Sequence, residues 1–166
     1  MIAEMIEGHV PTRLLVGVGP GSFTGLRVGI AAAHGMAIGW SVPLAGFNSL
    51  ALLAASAPPG AGRIAAAVTG GHGELFVQQF AMAPGHSGDW TASGAMLTLS
   101  PTDAAAQIDA PLVVGSGAHA LVAARGSGEA LALMPVAARV LMLPELLRQL
   151  DCKPIYGRAP DAKAAA

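Results

Sequence analysis

The stretch that most narrows what this chain can fold into runs from Leu14 to Trp40. A short apolar segment, Leu14 to Val18, ends at Gly19, Pro20 and Gly21, and Ser22 and Thr24 then stand at the head of a long apolar pattern from Leu26 to about Trp40. An apolar run bounded by a Gly/Pro turn reads as a buried strand, and hydroxyls just ahead of a periodic pattern read as helix caps. The same order follows at once: Pro43 to Phe47 reads as a strand, and Asn48 or Ser49 caps a helix through about Ser56. Two consecutive strand–helix units predict an α/β fold in which these strands run parallel.

Beyond the Pro/Gly-rich loop Ala57 to Gly62 the pattern changes. Ile64 to Val68 and Glu74 to Phe80 read as strands of a hairpin joined through Thr-Gly-Gly-His-Gly, and Met96 to Leu99 as another strand. Ser100, Pro101 and Asp103 stand in the order of cap, first-turn proline and early acid, so a helix starts there. Leu112 to Val114 reads as a buried strand, Ala118 to Ala124 as a short helix, and Val136 to Leu150 as a longer helix burying Leu141, Leu146, Leu147 and Leu150. From Asp151 the tail is expected to be extended, because Pro154 and Pro160 oppose helix. Met1 to Glu7 reads as the last turns of a helix, with no strand ahead of it to flank Leu14 to Val18. The sheet is therefore expected to be mixed, within one unit over 1–166. Its expected parts are the remainder of an N-terminal lobe (1–56), a C-terminal lobe (57–150) and an extended tail (151–166).

At 166 residues and 53% hydrophobic, the chain can bury one ordinary core, and a net charge of −1 shows no basic face for nucleic acid. The single cysteine, Cys152, excludes an internal disulfide, and the first residues lack a secretory pattern, so a cytoplasmic location is expected. No acid, lysine or arginine lies between Arg27 and Arg63. A spanning helix needs about 20 apolar residues, and Pro43, Asn48, Ser49, Pro58 and Pro59 divide this window, so a packed core is expected and no membrane.

The Gly-rich turn leading into a helix could place backbone amides around a phosphate. The detailed signatures are missing: no lysine precedes Lys153, and Gly17, Gly19 and Gly21 do not match Gly-x-Gly-x-x-Gly. Turn and cap chemistry alone explains Pro20, Gly21, Ser22 and Thr24. Gly25, Gly29, Ala33 and Ala37 recur every four residues, a smooth ridge on which a helix could pack closely, inside the domain or from another protein. Each glycine there costs about 1 kcal/mol of helix propensity against alanine. Arg27, in the first helical turn, meets the positive end of the helix dipole and calls for a carboxylate or backbone carbonyl partner. No Gly-x-Ser-x-Gly elbow occurs, and the five histidines show no metal-ligand spacing, so no catalytic residue, metal or cofactor is expected.

The segment GVGPGSFTGLRVGIAAAHGMA, Gly17 to Ala37, resembles the signature of the TsaB family, also called YeaZ. VPLAGFNSLALLA (42–54), GELFVQQF (73–80), VVGSGA (113–118) and PIYGRAPDAK (154–163) resemble further family segments in the same order. The resemblance implies an actin-like ATPase (RNase-H-like) fold in a degenerate form. It also implies a non-catalytic subunit of the machinery that makes threonylcarbamoyladenosine beside the tRNA anticodon. Its implied partners are a TsaD-like threonylcarbamoyltransferase, a TsaE-like ATPase and a possible homodimer, with tRNA reached only through the complex. The implied partner-binding residues are Gly21, Ser22, Thr24, Gly25, Arg27, Gly29, Ala33 and Ala37. The alternatives are a nucleotide-binding or peptidase-like enzyme of the same fold, or a structural homodimer. Two departures stand out: Thr69-Gly70-Gly71 replaces the usual Asp-Ala-Arg, and the family's opening strand hairpin is missing before Met1, so the chain reads as N-terminally truncated.

Overall fold

In a computed structural model the described residues are 9–58, 60–82 and 90–157. The helix expected at Met1 to Glu7 lies outside them. Strand β1 (Leu14–Gly19) leads into helix α1 (Phe23–Trp40), and β2 (Leu44–Asn48) into α2 (Ser49–Ala55). β1 and β2 pair in parallel, Leu14 opposite Leu44 and Val16 opposite Gly46, as the two strand–helix units predict. Among the described residues β1 has β2 as its single strand neighbour, while β2 also pairs at Gly46 with Leu150.

A second sheet has six strands: β3 (Arg63–Thr69), β4 (Leu75–Met82), β5 (Trp90–Ala92), β6 (Leu97–Leu99), β7 (Leu112–Val114) and β8 (Glu129–Leu131). The order is β5-β4-β3-β7-β8, with β6 also on β4, and it is mixed: β3 is antiparallel to β4 and parallel to β7, which is parallel to β8. The expected hairpin between β3 and β4 is present. Gly70 N–H donates to the Glu74 carbonyl at 2.7 Å across it, and His72 takes φ 59 inside the turn. The short strands β5 (WTA) and β8 (EAL) escape sequence patterning because, unlike β7 (LVV), neither is a continuous apolar run, and three residues are too few to show a period.

Side chains on β3 alternate between two cores, as the two-residue period of a strand requires. Ile64 and Ala66 join Leu50, Leu53, Phe80, Trp90 and Leu143 on the α2 side. Ala65 and Ala67 join Leu75, Val77 and Val113 under the helices α3 (Pro101–Gln107) and α4 (Ala118–Arg125) on the other. Full burial of a leucine, isoleucine or phenylalanine contributes about 1.5–3 kcal/mol, so these two layers hold the domain together. α3 begins as its sequence predicts, with Ser100 Oγ accepting from Asp103 N–H at 3.1 Å.

The helix expected over Val136 to Leu150 does not form. Two 3₁₀ segments replace it, Ala137–Met142 and Glu145–Leu147, separated by Leu143 and Pro144. Proline has no N–H to continue a helix and disfavours helical geometry in the residue before it. Three residues per turn also moves the inward face. Leu141 and Leu146 point to solvent, Leu147 and Leu150 are half-buried, and Leu143 takes the core position.

Candidate partner-docking site

The turn and first helix form as their residues dictate. Gly19 takes φ +115, and a Cβ there would lie 2.6 Å from the Ile155 carbonyl oxygen, so glycine is required. Ser22 is the N-cap: its Oγ accepts from Gly25 N–H at 3.3 Å, and its carbonyl accepts from Leu26 N–H at 2.9 Å. At the far end Ser41 adopts a left-handed conformation, and its N–H meets the carbonyls of Ala37 and Ile38. Leu26, Ile30, Ala33, Ala37 and Trp40 share the inner face, at the spacing of an amphipathic helix.

This divides the ridge expected from sequence. Ala33 and Ala37 are buried inside the chain, whereas Gly25 and Gly29 lie outside. A four-residue repeat advances by more than one turn of a 3.6-residue helix, so the ridge drifts around the axis from the outer to the inner face. Gly21, Ser22, Thr24 and Arg27 are all exposed around the helix start.

The outer face is largely apolar as well. Opposite the buried stripe lie Val28, Ala31, Ala32, Gly35, Ile38 and Gly39, with Val28 63% and Ile38 79% exposed, and the exposed imidazole of His34 stands among them. Beside Gly29, Gly35 and Gly39 there is open space where a side chain would stand. Between Arg27 and His34 and beyond, small residues leave this surface able to admit another backbone closely at Gly29, Gly35 and Gly39.

Among the described residues Arg27 meets no carboxylate or carbonyl of the kind expected for it. Its Nε donates to Tyr156 Oη at 2.7 Å, and its guanidinium carbon sits 3.9 Å from the centre of the Phe23 ring. Phe23 and Tyr156 are themselves stacked at 4.9 Å, tilted by 31°. No acid is available on the first turn of α1, so the electron-rich ring face and phenol oxygen fill that role. Tyr156 comes from the far end of the chain. Ile155 N–H donates to the Val18 carbonyl at 2.7 Å, and the Gly157 carbonyl accepts from Thr98 Oγ1, so the tail crosses the C-terminal end of β1 and reaches the second sheet. Sequence reading missed this partner because 129 residues separate Tyr156 from Arg27.

Elsewhere, the turn from β7 into α4 is a second glycine-rich strand–helix junction. Gly115 has φ +114, and Ser116 Oγ accepts from Thr69 N–H at 3.1 Å. Arg63 pairs with Asp109 at the surface and holds that carboxyl below its usual range, chiefly by hydrogen bonding. Partial burial raises the Cys152 thiol, with the Asp151 charge adding to it. Among the described residues no group of three or more His, Cys, Asp or Glu is placed to hold a metal, and no helix is long and apolar enough to cross a membrane.

This mixed sheet with flanking helices matches two solved Pseudomonas aeruginosa structures. One, a protein described as similar to peptidase YeaZ, aligns with a TM-score of 0.76 at 23% identity, over 95% of this chain and 81% of that one. The other, YeaZ itself, aligns with a TM-score of 0.74 at 24% identity, over 93% and 79%. The fold is therefore the actin-like, RNase-H-like α/β class. In sequence, the chain is 41% identical over 69 residues to the Escherichia coli K12 tRNA threonylcarbamoyladenosine biosynthesis protein TsaB. That match spans 40% of this chain and about a third, 30%, of the relative. Residues 10–90 match the family model described as TsaD, tRNA N6-adenosine threonylcarbamoyltransferase. The chain is thus similar to TsaB in sequence over 69 residues and to the YeaZ structures in fold over nearly its whole length.

Proposed function

We propose that this chain is a non-catalytic subunit in tRNA threonylcarbamoyladenosine biosynthesis, and that α1 docks it onto a TsaD-like threonylcarbamoyltransferase. The observation that carries this reading is the outer face of α1. An 18-residue helix with one Asp, Glu, Lys or Arg residue, largely apolar on both sides, is built for cover on both sides, and the described residues cover one. The names of its relatives supply the pathway: TsaB is a biosynthesis protein for this nucleoside, and the matching family model is the transferase itself. Tight docking on small residues suits a stable subunit, with the exposed Gly21, Ser22, Thr24, Gly25 and Gly29 at the contact. A TsaE-like ATPase completes the assembly, tRNA is met through the complex, and the site of action is the cytoplasm.

Calorimetric titration of a TsaD-like subunit from the same source into the chain tests this. Binding is expected, and Gly29→Leu weakens it by placing a bulky side chain in the contact, while the variant's own fold is kept because open space surrounds Gly29. Equal affinity of the two forms counts against the face. A second reading, that the chain carries its own transferase chemistry, is favoured by the match of residues 10–90 to the enzyme's model. It predicts threonylcarbamoyl transfer to tRNA by the purified chain without a TsaD-like subunit.

A further inference from the structure

We infer that Arg27 selects the partner on this face by receiving a carboxylate from the docked protein. This rests on the reading of α1 as a docking helix. Arg27 is the one Asp, Glu, Lys or Arg residue on α1. Its Nε is committed to Tyr156 Oη, and Phe23 and Tyr156 fix the plane of the guanidinium at 3.9 and 5.6 Å from their ring centres. Tyr156 is pinned in turn by the backbone bonds of Ile155 and Gly157 on either side. Nη1 and Nη2 have no partner among the described residues, and Arg27 is exposed. Two parallel N–H donors on a guanidinium already held in place match the two oxygens of a carboxylate, with little further side-chain entropy lost on binding. Helical period places this fork beside the apolar face at its N-terminal end, where a charge sets register and rejects wrong partners.

Phosphate of an RNA is the weaker match. Backbone binding needs several cations in a row, and here one cation borders a neutral face in a chain of net charge −1. A second copy of the chain fits less well too, since pairing α1 on α1 brings no acid from either helix. The occupant is therefore a different protein that presents an apolar helix with an acid at one end.

The test titrates the TsaD-like subunit into wild type, Arg27→Met, Arg27→Lys and Tyr156→Phe at low and high salt. Circular dichroism checks that each variant is folded. Arg27→Met is expected to bind at least about tenfold more weakly and to lose most of the salt dependence. Lysine restores the salt dependence and part of the affinity, because it supplies the charge without the fork. Tyr156→Phe, which keeps the ring and removes the oxygen that orients Nε, gives a smaller loss with salt dependence retained. Binding by Arg27→Met equal to wild type at low salt, with the salt dependence of the two alike, overturns the inference and leaves the docking reading standing. Failure of wild type to bind overturns both. Arg27-dependent binding of tRNA alone, or Arg27-dependent self-association, overturns the choice of a carboxylate-bearing protein as occupant.

Discussion

Helices α1 and α2 have nearly the same chemistry and opposite fates. Both follow a parallel strand, both are capped by a polar residue at the strand's end, and neither carries an acid. Every residue of α2 from Leu50 to Ala55 is buried, held between β3, the Ala137–Met142 segment and the strands beneath. α1 buries one stripe on β1 and leaves Val28 and Ile38 in solvent. An apolar helix therefore does not reveal by composition whether its cover lies in the same chain. The covering layer decides that. Around α2 it is supplied by residues far along the sequence: Arg139 Nη1 donates to the Ser56 carbonyl at 2.9 Å, and Leu143 enters the same core.

The sharpest way to break this comparison is to truncate one side chain on each helix. Leu53→Ala removes a fully buried group from α2 and is expected to cost about 2–5 kcal/mol in denaturant unfolding. Ile38→Ala on α1 is expected to change stability by less than about 0.5 kcal/mol, while weakening binding to the TsaD-like subunit. Similar losses from both would mean that α1 already has an internal cover.

Caps give the next effect. Asn48 Oδ1 accepts from Leu50 and Ala51 N–H at 2.8 and 3.2 Å, whereas Ser22 Oγ accepts one longer bond. Asn48→Ala should lower stability by about 1 kcal/mol, and Ser22→Ala by less. The same unfolding curves read both, and a larger loss at Ser22 would reverse the ranking.

On the outer face of α1 a gain is expected instead. Gly35→Ala meets nothing within 4 Å and removes a poor helix former, so the isolated chain should gain about 0.5–1 kcal/mol. A loss there would show that the site is not open. The smallest change is at Asp109→Asn, remote from both helices. The Asp109 pKa is lowered from 3.8 by Arg63, so its contribution is complete above that value and disappears as pH falls through the lower folded-state value. In thermal melts across acid pH the variant should lack this small acid-side dependence and match wild type in shape near neutrality.

How far the sequence reads true depends on how local each cause is. Strand β1, its turn and α1 were legible because Gly19, Ser22 and the apolar period act within a few residues. Ser100 and Pro101 mark α3 for the same reason. The leucines from 141 to 150 misled, since their spacing suggests a helix that Pro144 interrupts. Around α1, sequence located the helix, its cap at Ser22 and the need of Arg27 for a partner. It could not separate Gly29, which faces out, from Ala37, which faces in, because small residues on both faces leave the period without a phase. Tyr156 gave no signal either: a phenol opposite an arginine 129 residues away is a product of chain return.

By itself the sequence determined where backbone amides need caps, where glycine must replace a side chain, and that α1 would be apolar and rich in small residues from Leu26 to about Trp40. Tertiary structure decided which side of that helix meets β1, and brought Tyr156 to Arg27. The physical reason is that caps and turns are satisfied by atoms close along the chain. Burial and side-chain pairing depend on which distant segments the sheets bring together, and only the closed fold supplies those.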